Sequence, residues 1–234
     1  MRFTPLGDRA VMITFGATID EATHRLVRSA SVRIDQRPPA GFVDQVPAFT
    51  SIAVHYDPLI AARGGTRTPY ARVVADLTAA LDGLTPEQLP PARVVEIPVC
   101  YGGALGPDLE DVASAHQMTS EEVVRIHTSA NYLVYMVGFM PGFAYLGGLS
   151  PKLATPRRTT PRTAVPAGTV GIGGSQTGVY PLESPGGWNL IGKTPLAVFD
   201  IARPQPALLA TGDRVRFRSI TADEFRDWPS HPHP

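Results

Sequence analysis

Between Gly138 and Gly192 the chain places 12 of its 22 glycines, interleaved with prolines at short, irregular intervals. Glycine admits positive φ and close backbone approach, while proline fixes φ and removes a donor. A stretch built this way cannot form long helices. Its segments VGFMPGFAYLGGL and TPRRTTPRTAVPAGTVGIGGSQTGVYPLESPGGWNLIG predict short strands joined by turns, and hence a closed or partly closed β barrel. The loops carry Arg157, Arg158, Arg162, Gln176, Tyr180, Trp188 and Asn189, where ligand contact is expected. Barrel turns that simply need Gly and Pro are the alternative account of much of the stretch.

The remainder predicts an α+β chain of two domains. Arg2 to Phe15 reads as two strands about Gly7-Asp8, and Asp20 caps a helix with Ala22, Leu26 and Ala30 on one face. Residues 42–56 read as a strand pair broken at Pro47. Thr68-Pro69 opens a helix carrying Tyr70, Val73, Val74, Leu77 and Leu81, closed by Gly83. The order strands, helix, strands, helix, strand predicts a split βαβ sandwich, assigned to residues 1–88, and residues 93–99 read as a strongly β-prone strand beyond it. TPEQLPP at 85–91 is the linker, and residues 93–222 form the barrel domain. That domain includes helices at 108–116 and 121–130, the second opened by a Thr119-x-x-Glu122 capping box, and a buried strand at 132–139. Residues 223–234 are expected to be a disordered tail.

Net charge is zero, which gives no electrostatic footprint for nucleic acid or anionic membrane, and no run approaches 18 apolar residues. One cysteine, Cys100, forms no disulfide framework; a cytoplasmic protein is expected. Arginine outnumbers lysine 19 to two, which suits bidentate anion binding but is better explained by biased base composition. No metal site is expected, since His231 and His233 lack further ligands.

Several residues are candidates for chemistry. Gly171-Ile-Gly173-Gly174-Ser175-Gln176-Thr177-Gly178 lacks the endings of phosphate- and dinucleotide-binding loops, so it reads as a turn or bulge whose amides could form an anion nest. Arg157, Arg158 and Arg162 could hold a carboxylate or phosphate in fork geometry; a solvated loop is the alternative. His127 shares a helix face with Val123 and Ala130 and should turn inward, as a core histidine or as a general acid/base. Asp108 reads as a helix N-cap or a base, Tyr101 as a residue at the barrel mouth, and Cys100 as a buried thiol. Phe139, Met140, Phe143, Tyr145 and Trp188 are large apolar residues in loop context, suited to an interface or to core packing.

These motifs together, with VEIPVCYGGALGPDLEDVA and HTSANYLVYMVGFMPGFAYLGGL, resemble the allophanate hydrolase subunit 1, or carboxyltransferase-domain subunit, family. The resemblance covers residues 94–220 closely and is looser before 90. It implies a ferredoxin-like N-terminal domain followed by a cyclophilin-like barrel. Among the family's branches, the B subunit of ATP-dependent 5-oxoprolinase matches best; a sporulation kinase inhibitor and a urea carboxylase domain are others. The implied task is a share in opening 5-oxo-L-proline to L-glutamate with ATP and Mg²⁺. The implied partners are the allophanate hydrolase subunit 2, which is the C subunit of 5-oxoprolinase, and that enzyme's A subunit. The alternatives are inhibition of a histidine kinase, or urea and allophanate metabolism. In the first reading His127, Asp108 and Tyr101 are the candidate catalytic groups; Arg157, Arg158, Arg162, Gln176, Tyr180, Trp188 and Asn189 would bind substrate or nucleotide.

Overall fold

The computed structural model describes residues 1–63, 67–86, 89 and 92–229, and the chain divides into two compact units, Met1–Pro91 and Ala92–Pro234. In the first, β1 (Arg2–Pro5) and β2 (Ala10–Thr14) pair antiparallel around the Gly7 turn. Asp20 then accepts a hydrogen bond from the Thr23 amide at 2.7 Å and starts α1 (Glu21–Gln36). The buried stripe of α1 is His24, Val27, Ala30 and Ile34, whereas Ala22 is exposed and Leu26 only half-buried. Steps of three and four still define the face, but it is rotated so that the branched Val27 and Ile34 meet the sheet.

β3 (Phe42–Ala48) and β4 (Ser51–Tyr56) follow, with the turn at Phe49-Thr50 and Pro47 inside β3 rather than at the break. Proline is tolerated there because the sheet order is β1-β2-β4-β3 and β3 is an edge strand. A short α2 (Pro58–Ala61) precedes α3 (Pro69–Ala80), whose Thr68 cap accepts from the Ala71 amide. Val11, Ile13, Ile52, Val54, Val73 and Leu77 are fully buried among these elements. The second unit opens with a strand, as expected after the linker.

That strand, β5 (Val94–Tyr101), runs parallel to β13 (Arg214–Ser219), a pairing across more than 100 residues that no local pattern announces. Between them come α4 (Leu109–Ala115), α5 (Ser120–Ser129), β6 (Tyr132–Val137), β7 (Ala144–Gly147), β8 (Arg162–Val165), β9 (Thr169–Gly173), β10 (Gln176–Val179), β11 (Ser184–Gly186) and β12 (Asn189–Lys193). Seven strands close into a barrel in the order β10-β7-β6-β13-β5-β12-β9, while β8 and β11 form a separate two-stranded sheet. The fold is therefore mixed α+β with a closed barrel. Both halves of the Thr119–Glu122 capping box are present at α5. Ile97, Val99, Tyr132, Val134, Leu146, Val170, Ile172, Ile191 and Val215 are buried in one apolar cluster, to which α4 and α5 add Leu109, Val112 and Val123.

Of the linker, residues 87, 88, 90 and 91 lie outside the described residues. The segment expected as a tail begins with a helix, α6 (Ala222–Arg226), fixed by a Thr221–Glu224 capping box. Residues 230–234, with His231 and His233, lie outside the described residues. Among the described residues no helix is long and apolar enough to cross a membrane.

Candidate functional site

Strand alternation sends Val170 and Ile172 of β9 into the barrel and leaves Gly171 and Gly173 facing outward. Those bare backbones, with Gly178 of β10, form a flat bed for the Trp188 indole. A Cβ at Gly173 would sit 2.5 Å from the Trp188 ring, and one at Gly171 3.2 Å from its Cβ. Gly171, Gly173 and Gly178 thus serve the close approach of a side chain. Phe143, Val165, Tyr180 and Leu190 join Trp188 in a second apolar cluster on this side of the barrel wall.

Over the cluster lies a cavity of about 280 Å³ lined by Phe139, Phe143, Tyr145, Arg157, Pro161, Tyr180, Pro185, Gly186, Gly187 and Trp188. Phe143 is its hub, meeting Tyr145, Tyr180 and Trp188 edge-on at centroid distances of 5.0, 5.8 and 5.6 Å. The Arg157 guanidinium stands 5.9 Å above the Trp188 ring. Among the described residues Arg157 has no carboxylate partner. Burial pushes the Tyr180 phenol up, against a backbone hydrogen bond from Trp188 and the charges of Arg157 and Arg162, which pull it down.

Arg158 and Arg162 converge on one buried carboxylate. Asp108 Oδ1 accepts from Arg158 Nη1 at 3.1 Å and from Arg162 Nη2 at 2.7 Å, and Oδ2 accepts from the Leu190 amide at 2.7 Å. Asp108 is the N-cap residue of α4, as expected, but its carboxylate makes no capping bond and serves instead as the counter-ion of the arginine segment. Two guanidinium groups therefore share one carboxylate, and Arg162 Nη1 is buried without a hydrogen-bond partner. Such an orphaned donor carries a desolvation cost until an acceptor reaches it.

His127 lies elsewhere. It is fully buried, with Phe217 and Tyr132 ring centroids at 4.6 and 5.4 Å. The Thr177 hydroxyl donates to the Gly171 carbonyl at 2.9 Å, so its oxygen accepts from His127 Nε2–H at 2.9 Å. Nδ1 is then the acceptor for the Tyr101 hydroxyl at 2.8 Å. Burial lowers the imidazole to about 3 and, with the nearby Tyr132, raises the Tyr101 phenol well above its ordinary value. Neither residue touches the arginine cavity. Their expected place in a common site with the arginines at a barrel mouth is corrected: the interior is filled by side chains, and the cavity lies on the outer wall.

The model of the carboxyltransferase domain, subdomain C and D, matches residues 1–209. The chain belongs to this family. It is 47% identical over 223 residues to the 5-oxoprolinase B subunit of Bacillus subtilis, covering 94% of this chain and 93% of that one. With the 5-oxoprolinase B subunit of Escherichia coli O157:H7 it shares 59% identity over 128 residues, 55% of this chain and 59% of the other. The crystal structure of TTHA0988 superimposes with a TM-score of 0.78 at 40% identity, over 97% of this chain and 41% of that chain.

For a member of this family, the remaining candidates divide cleanly. Tyr180, Trp188 and Arg157 line the cavity; Arg158 and Arg162 are tied to Asp108 beside it. Asn189 is buried, and its amide nitrogen donates to the carbonyls of Pro156 and Ile172, so it staples the arginine segment to β9. Gln176 opens β10 opposite Gly173 and does not line the cavity. Cys100 is buried, which raises its thiol. Of the apolar residues suited to an interface, Phe143 and Trp188 are core and only Phe139 is strongly exposed, at 71%. Pro161, Pro185 and the Gly186-Gly187 pair are not singled out by sequence; the SPGGW run is the available signal.

Proposed function

We propose that this chain is the B subunit of an ATP-dependent 5-oxoprolinase-type complex and that its arginine–aromatic cavity seats the substrate. The reading rests on the uncompensated Arg157 above Trp188, next to a second arginine with a buried unused donor. A guanidinium is suited to a carboxylate, and the aromatic wall to the apolar edge of a small ring. A cavity of about 280 Å³ fits 5-oxo-L-proline far better than a nucleotide. ATP is accordingly assigned to a surface completed by a partner protein, with the A and C subunits of the complex as partners.

The chemistry demands this sharing. A five-membered lactam resists water until its carbonyl oxygen is phosphorylated. A first water then adds to the carbon and the C–N bond breaks with a proton passing to nitrogen, leaving an acyl phosphate that a second water hydrolyses to carboxylate and phosphate. That sequence needs a base near the water. None of the side chains lining the cavity is a carboxylate, imidazole or amine. Asp108 is neutralised by two arginines, and His127 is sealed in the core. The base therefore comes from a partner, and this chain holds and orients.

The isolated chain is expected to release no glutamate from 5-oxo-L-proline and ATP, with activity appearing when the A and C subunits are added. Robust turnover by the lone chain would overturn the reading. In the assembled enzyme Arg157→Ala is expected to raise KM for 5-oxo-L-proline about tenfold or more with little change in kcat, the pattern of lost binding that is uniform along the reaction. Co-expression with the C subunit should give one peak in size-exclusion chromatography; two separate peaks at micromolar concentration count against the partnership.

A further inference from the structure

Phe139 is the one bulky residue of the cavity whose backbone works against its side chain. Its φ is +73°, in the left-handed region that glycine occupies freely and a large L residue avoids. The connection between β6 and β7 that carries it is tied at both ends, by Gly138 N–H to the Phe143 carbonyl at 3.0 Å and by Phe143 N–H to the Met140 carbonyl at 3.1 Å. Gly142 also has positive φ and packs its backbone against Phe199, which a Cβ there would meet at 2.7 Å. The turn geometry at position 139 calls for glycine. Burial does not explain the ring either, since it is 71% exposed and rests edge-on against Phe143, 5.8 Å between centroids. A strained residue held by its surroundings and presented at a cavity rim is the pattern of a functional position.

We propose that Phe139 is the specificity-determining clamp of the cavity, packing its ring against the apolar edge of a small cyclic carboxylate whose charge is held by Arg157. This rests on the reading of the cavity as the substrate site. The clamp discriminates by polarity. The lactam presents ring methylenes to the aromatic wall, whereas the opened product carries an ammonium and a second carboxylate that this wall does not solvate. Phe139 therefore favours the cyclic substrate and lets the open-chain product leave.

The test uses the assembled enzyme, with Phe139→Gly, Phe139→Ala and Phe139→Leu beside Arg157→Ala. Removing the ring in the first two is expected to raise KM for 5-oxo-L-proline about tenfold with kcat nearly kept, while inhibition by L-glutamate stays unchanged. Leu should recover part of the loss. In the isolated chain Phe139→Gly should melt about 2–4 °C above Phe139→Ala, because both lose the ring and only glycine relieves the backbone. If Arg157→Ala raises KM and the Phe139 variants do not, the clamp is wrong and the substrate site stands. Unchanged KM in all four variants overturns both. Variants that no longer co-elute with their partner proteins assign Phe139 to the interface and overturn the clamp.

Discussion

Between pH 6.5 and pH 4 the second unit is expected to lose about 3 kcal/mol of stability through His127 alone. Burial holds the folded imidazole near 3 against an ordinary value of 6.5, so the unfolded chain binds the proton first as pH falls. The sign follows: the contribution is complete above pH 6.5, erodes by about 1.4 kcal/mol per pH unit below it, and is exhausted near pH 3. The groups facing the ring are Tyr101, Tyr132, Thr177 and Phe217, none of them charged, so no neighbour offsets the effect. His127→Gln keeps a donor for Thr177 and an acceptor for Tyr101 but cannot titrate. It should be less stable than wild type at pH 7 and approach it, or surpass it, near pH 4. Urea titrations followed by tryptophan fluorescence read the second unit specifically, because the chain's two tryptophans, Trp188 and Trp228, both lie there. Carboxylates titrating in the same window cancel in the difference between the two proteins. Parallel pH profiles would remove His127 from the acid response.

What the sequence makes legible is governed by neighbours within a turn or two. The Asp20 and Thr68 caps, the Thr119–Glu122 box and the β1–β2 hairpin each depend on residues a few positions apart, and each forms at the expected place. An inward His127 also follows from helix spacing alone. Long-range placement does not follow. The parallel β5–β13 pair joins strands more than 100 residues apart, and nothing local to either strand names its partner. Gly171 and Gly173 read as turn glycines until Trp188, fifteen or more positions later, is seen lying on them. Asp108 reads as a cap because its true partners, Arg158 and Arg162, are 50 and 54 residues away. The arginine cluster is visible as composition; the carboxylate that organises it is visible only as a helix signal. Phe139 is the opposite case, since GFMPGF announces a turn but gives no sign that the aromatic, and not a glycine, takes the left-handed position.

Asp108→Ala should be the most damaging single change near the cavity, costing about 2–4 kcal/mol and lowering Tm by about 5–15 °C. Three losses combine. The buried Leu190 amide is left without its acceptor, Arg162 keeps a largely buried charge with no counter-ion, and the arginine segment loses its tie to β12. Arg158 is 38% exposed and can turn to water, so its share of the cost is small. Asp108→Asn separates these effects, because an amide oxygen still accepts from Leu190 while the charge is gone; it should fall between Ala and wild type. The decisive comparison is the double variant Asp108→Ala/Arg162→Ala. If the cost is an uncompensated buried guanidinium, removing Arg162 as well should recover part of it, a coupling of about 1–3 kcal/mol. Strict additivity in thermal and urea unfolding would mean that Asp108 stabilises only through Leu190. In that event Arg162, already carrying a buried Nη1 without a partner, would be held by its backbone and its neighbours rather than by its ion pair.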